Sequence, residues 1–138
     1  MSFREKSAVL HIVAFVFLLT YMISSSARWP ALDPASIPVK HLWIAIILFI
    51  AIEAIGHGLL AAFNKREANQ SLDERDKLVE YKSSHFSGLL LSGLIIFYIC
   101  GSLLLGIPVL SLANVLSILV IAEILHYSLQ LLFYRRGL

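Results

Sequence analysis

The run HLWIAIILFIAIEAIGHGLLAAF, residues 41–63, decides the fold. A helix crosses the bilayer core in about 20 residues at about 1.5 Å each, and this run is long and apolar enough to do so. It also holds Glu53 and His57 one helical turn apart. Three runs of the same kind accompany it: AVLHIVAFVFLLTYMISS (8–25) and stretches at about 85–107 and about 109–134. The chain contains 59% hydrophobic and 14% charged residues, against roughly 45–50% and about 25% in soluble domains. These features predict an all-α integral membrane protein: one domain over 1–138, four transmembrane helices in an antiparallel bundle, and a hydrophilic loop at 64–84. No soluble catalytic domain is expected within these 138 residues.

The first run follows Arg4 and Lys6 as a signal peptide would. Its apolar core is long, however, and no small-x-small site closes it before Arg28 and Trp29, so it is expected to be a retained span. Nine of the 11 Lys and Arg residues lie in the N-terminal segment, the central loop and the C-terminal tail, leaving Arg28 and Lys40 on the other side. Both termini are therefore expected in the cytoplasm. Trp29, Trp43, Tyr21 and Tyr134 fall at span ends, where amphipathic rings favour the interface. The outer loop RWPALDPASIPVK holds three of the four prolines and is expected to be an irregular strap. The short connection around GIPVLSL predicts that the third and fourth spans are antiparallel neighbours. Cys100, the lone cysteine, reads as a small packing residue.

The central loop contains SLDERDKLVEYKSSH. Ser71 and Glu74 have capping-box spacing, Asp73 and Glu74 complement a positive helix end, and Asp73 with Lys77 makes an i,i+4 pair. No proline or glycine intervenes before Gly88, so the helix is expected to run unbroken into the third span. Asp73, Glu74, Arg75, Asp76 and Lys77 read either as a solvated helix extension or as a docking surface for a cytoplasmic partner.

Leu72, Asp73, Glu74, Arg75, Asp76, Leu78, Val79, Glu80 and Lys82 resemble a motif, L-D-E-R-[DE]-x-L, found before a transmembrane helix in a family of small four-helix bacterial membrane proteins of unknown function. The resemblance implies a bacterial cytoplasmic membrane and companionship with small helix-turn-helix regulators. It brings no reaction and no catalytic residues.

A shift of 70 residues places Glu53 on Glu123, Phe63 on Phe133, Lys65 on Arg135 and Arg66 on Arg136, with His57 one position from the counterpart of His126. These matches point to two related hairpins arranged as parallel repeats. Each glutamate lies roughly 16–18 Å from the cytoplasmic boundary, near mid-membrane. An ionised carboxylate at that depth costs at least a few kcal/mol, so both are expected to face the interior, protonated, paired with histidine or bound to a cation.

At 100° per residue, Glu53, His57, Leu60 and Asn64 share one side of the second span, and Glu123, His126, Tyr127, Gln130 and Tyr134 form a stripe on the fourth. The two stripes are expected to face each other. Ser84, Gly88 and Ser92 offer a small-residue face for helix packing. The resulting constellation is Glu53, His57, Glu123 and His126 with His11 and His85. It admits local Glu/His pairing, a metal site, haem ligation or proton and cation coupling; metal and cofactor stay undetermined at this point.

A small multidrug transporter would carry a glutamate in its first span, where this chain has His11. No nucleophile with a base, phosphate loop or HEXXH motif is present, so no enzyme is expected. The net charge is only +2, and the basic residues are interleaved with acidic ones, so no direct nucleic-acid contact is expected. The expected partners are the lipid bilayer, a cytoplasmic regulatory protein and, as an open alternative, further copies of the chain. The function expected is a membrane sensor or regulatory partner acting through the DERD helix, with small-solute or proton-coupled transport, or metal or haem binding, as alternatives.

Overall fold

The computed structural model describes residues 2–27, 39–105 and 112–137. The proline-rich strap and the GIPVLSL connection lie outside the described residues, apart from their ends. Five helices follow in order: α1 (Phe3–Ala27), α2 (Val39–Phe63), the single turn α3 (Lys65–Ala68), α4 (Glu74–Leu105) and α5 (Leu112–Arg136). Four of them, excluding α3, are long and apolar enough to cross a membrane, so the chain is a multi-pass helical membrane protein by length and composition.

Local chemistry sets the helix ends. α1 opens with a reciprocal capping box: Glu5 N–H donates to Ser2 Oγ at 3.2 Å, and Ser2 N–H donates to Glu5 Oε2 at 2.7 Å. α4 opens in the same way two residues later than the Ser71–Glu74 spacing predicts. Asp76 N–H donates to Asp73 Oδ1 at 2.7 Å, and Asp73 N–H donates to Asp76 Oδ2 at 3.3 Å. Aspartate is as good an N-cap as serine, and only the frame starting at Asp73 places a second carboxylate at the third helical position. From there α4 continues unbroken for 32 residues into the third span. At the far end of α5, Gly137 takes φ 75°, the left-handed conformation that closes a helix most cheaply without a Cβ.

α1 packs against both α2 and α5, and α5 packs against α4. Contacts at one end of the bundle set the relative directions. Lys6 Nζ donates to Asn64 Oδ1 at 2.9 Å, Phe3 N–H to Glu67 Oε2 at 2.8 Å, and Arg75 Nη2 to the Tyr134 carbonyl at 2.8 Å. The starts of α1 and α4 thus meet the ends of α2 and α5, so sequential spans run antiparallel.

The buried positions are mostly small: Ala8, Ala14, Ala45, Ala122, Ser83 and Ser87. Large side chains such as Ile47, Ile55, Phe97 and Leu104 point outward. This inversion suits a solvent of lipid tails, in which close backbone approach and dispersion hold helices together in place of water exclusion. At Gly56 the approach is closest, since a Cβ there would lie 2.7 Å from the Leu10 side chain. On α4 the packed face differs from the expected one. Val79, Ser83 and Ser87 are buried, whereas Ser84, Gly88 and Ser92 are exposed. Ser83 Oγ donates to the carbonyl of Val79 and Ser87 Oγ to that of Ser84, so both hydroxyls are satisfied within their own helix while α5 approaches.

Candidate functional site

α1 and α2 build the first polar centre together. Glu53 sits on α2 with His57 one turn on, and Glu53 Oε2 lies 3.0 Å from His57 Nε2. The same oxygen lies 2.9 Å from Nδ1 of His11 on α1. The two imidazole centroids are 4.5 Å apart. Two atoms of the triad, Glu53 Oε1 and His57 Nε2, are buried without a hydrogen-bond partner, because His57 Nε2 has the distance but not the alignment.

α5 meets this centre through Tyr127, which stacks on His11 at 4.1 Å and stands edge-on to its neighbour His126 at 4.9 Å. The stripes of the second and fourth spans therefore meet on α1: Glu53 and His57 reach one side of His11, and Tyr127 covers its ring. The physical reason is packing order, since α1 contacts both helices and brings its own histidine to the contact.

His126 belongs to a second centre, built by α4 and α5. The Gln130 amide donates to Glu80 Oε2 in a short contact and lies 3.0 Å from His126 Nε2. His126 Nε2 is also 3.5 Å from Glu80 Oε1, and Nδ1 is 3.5 Å from Ser87 Oγ. An amide N–H₂ placed between a carboxylate and an imidazole donates to both, which makes Nε2 the acceptor and puts the imidazole proton on Nδ1, facing the Ser87 hydroxyl. His126 and Gln130 are nearly buried, at 8% and 9% exposure.

The remaining expected residues are outside the triad. Glu123 is exposed, within electrostatic reach of His11 and Tyr127, so the two glutamates matched by the 70-residue shift occupy different surroundings. His85 is exposed beside Tyr81 and Phe86. In the DERD segment, Asp73 and Asp76 cap α4 and Arg75 holds the end of α5. Asp76 also accepts from the Tyr134 hydroxyl at 3.0 Å and lies 3.6 Å from Arg4 Nε. Glu74 and Lys77 are exposed.

Sequence reasoning did not single out Glu80 as a site residue, although a signal was present. Asp73, Asp76, Glu80, Ser83 and Ser87 recur at three- and four-residue steps, which puts them on one face of α4. That face also opens a cavity of about 490 Å³ between α1, α4 and α5. Arg4, Asp76, Lys77, Glu80 and Gln130 line it, and so do His11 and Tyr127. Because His11 belongs to the Glu53 triad, the cavity joins the charged end of the bundle to the first centre.

No protein-family model matches this chain, and no curated protein or solved structure shows significant similarity to it.

Proposed function

We propose that this chain is a non-enzymatic membrane sensor or regulatory subunit, in which the state of the Glu53 centre is passed to the charged start of α4. One observation carries the reading: a single cavity is lined both by His11, a partner of Glu53, and by Asp76, Lys77 and Glu80 of the α4 extension. A change at the carboxylate that moves His11 alters the wall this extension shares, and an unbroken α4 transmits displacement along its length. The reading takes the Lys- and Arg-rich end as cytoplasmic, in a bacterial inner membrane, and has Glu74 and Lys77 available to a regulatory protein.

The test is amide exchange over residues 74–82 in lipid nanodiscs, comparing wild type with Glu53→Gln. Altered protection in the variant is expected. Superimposable exchange in this segment would remove the coupling and the reading with it. Transport of a small cation is the competing reading, since the same cavity reaches His11, one member of the centre. It requires proton-coupled or cation flux that stops in Glu53→Gln, and the sensor reading expects no flux.

A further inference from the structure

We infer that His11 Nδ1, the Glu53 carboxylate and His57 Nε2 form a binding site for one divalent transition-metal ion of the zinc class. The inference rests on the sensor reading for its purpose and on donor geometry for its chemistry.

Three donors from two helices converge. Each offers one ligand atom, and these atoms all lie within 4.8 Å of one another. Both imidazole nitrogens approach the same carboxylate oxygen, at 2.9 and 3.0 Å. Bonds of about 2.0–2.1 Å in a tetrahedral site place ligand atoms about 3.3 Å apart, so each nitrogen already stands within a few tenths of an ångström of its required distance from the Glu53 oxygen. The orphaned atoms point the same way. Glu53 Oε1 and His57 Nε2 are buried without hydrogen-bond partners, and an ion held by the carboxylate and both imidazoles would give His57 Nε2 a partner and engage the Glu53 carboxylate. A hydrogen-bonded triad alone leaves them unmet.

The donor set selects the ion. Two neutral imidazoles and one carboxylate suit borderline divalent metals such as zinc, cobalt(II), nickel and iron(II). Calcium and magnesium favour all-oxygen shells, and copper(I) favours sulfur. Three protein ligands leave a fourth position open, as in exchangeable sites and unlike closed structural ones. The cavity lined by His11, Asp76 and Glu80 supplies the access route, and Tyr127 stacked at 4.1 Å holds the His11 ring in its ligating orientation. The ion's charge also offsets that of the Glu53 carboxylate, and an anionic ligand in the open fourth position would complete the neutralisation.

The test uses detergent-purified full-length chain without a polyhistidine tag, stripped with chelator and titrated with zinc against a chromophoric competitor. One equivalent is expected to bind. Affinity is expected to fall at least about 100-fold in Glu53→Gln and in His57→Gln, while His85→Ala, at an exposed position, binds as wild type does. X-ray absorption on the zinc-loaded wild type covers the case in which a variant fails to fold. A shell of two imidazoles and further oxygen at about 2.0–2.1 Å supports the site, whereas a sulfur-containing or histidine-poor shell overturns it. Binding that survives both ligand substitutions, or no stoichiometric binding, also overturns it. Exchange over residues 74–82 is recorded on the same samples. Zinc binding with silent exchange leaves the metal site standing and removes the sensor reading; altered exchange in Glu53→Gln without zinc binding does the reverse.

Discussion

Tyr127 stacks on His11 with ring centroids 4.1 Å apart and an interplanar angle of 23°, joining α5 to the carboxylate centre shared by α1 and α2. Its other neighbour is His126, edge-on at 4.9 Å, so this one phenol ring stands between the two polar centres. Offset stacking of this kind contributes about 0.5–1.5 kcal/mol beyond area burial. A double-mutant cycle of Tyr127→Ala with His11→Ala, read by unfolding in detergent, is expected to return a coupling energy in that range. Tyr127→Phe is expected to retain the coupling, because the ring makes the contact.

Gly56 sets the spacing of α1 and α2 one turn from the Glu53 centre. A methyl group there meets both Leu10 Cδ atoms at 2.7 and 2.8 Å, closer than side chains pack. Gly56→Val is expected to destabilise the protein by about 1–3 kcal/mol, the usual range for overpacking. Leu10→Ala in the same chain should recover part of that loss. Gly58→Val, with open space around the position, should have a smaller effect. Detergent denaturation of the four proteins decides the ranking.

The cap of α4 separates two frames. Asp73→Ala removes the acceptor of the Asp76 N–H and is expected to cost about 1 kcal/mol, with faster amide exchange at the start of the helix. Ser71→Ala should leave both unchanged. The reverse ranking would restore the Ser71–Glu74 frame.

The two deep glutamates are expected to respond differently. Glu53→Leu takes from His11 Nδ1 the carboxylate oxygen 2.9 Å away and removes the charge beside His57 Nε2, and a polar group left unpaired in the interior costs about 1–3 kcal/mol. Glu123→Gln, at an exposed position outside the triad, is expected to cost less than Glu53→Leu. Equal losses would mean that the 70-residue repeat extends to function.

The second centre has its own signature. Gln130→Leu removes the donor shared by Glu80 and His126 and leaves His126 Nε2 buried without its partner, for an expected loss of about 1–3 kcal/mol. Combining it with His126→Leu should recover stability, because replacing both members by apolar groups avoids the orphan. Thermal unfolding of the single and double variants tests this.

Much of the architecture is present in the chain itself because it depends on composition and near neighbours. Four apolar runs of sufficient length, the helix entering the third span from the DERD segment and the Glu53–His57 pair all follow from apolar content or from side chains one turn apart. Such features need no knowledge of what packs on what. Tertiary structure decided everything that required a partner helix: His11 as the third member of the Glu53 centre, Glu80 rather than Glu123 beside His126, and Val79, Ser83 and Ser87 rather than Ser84, Gly88 and Ser92 as the face of α4 against α5. In lipid every side of an apolar helix is equally soluble, so hydrophobic periodicity does not mark the inward face. The rotation of each helix is set by close packing and by polar groups seeking one another across the bundle, and those contacts exist only once the helices are side by side.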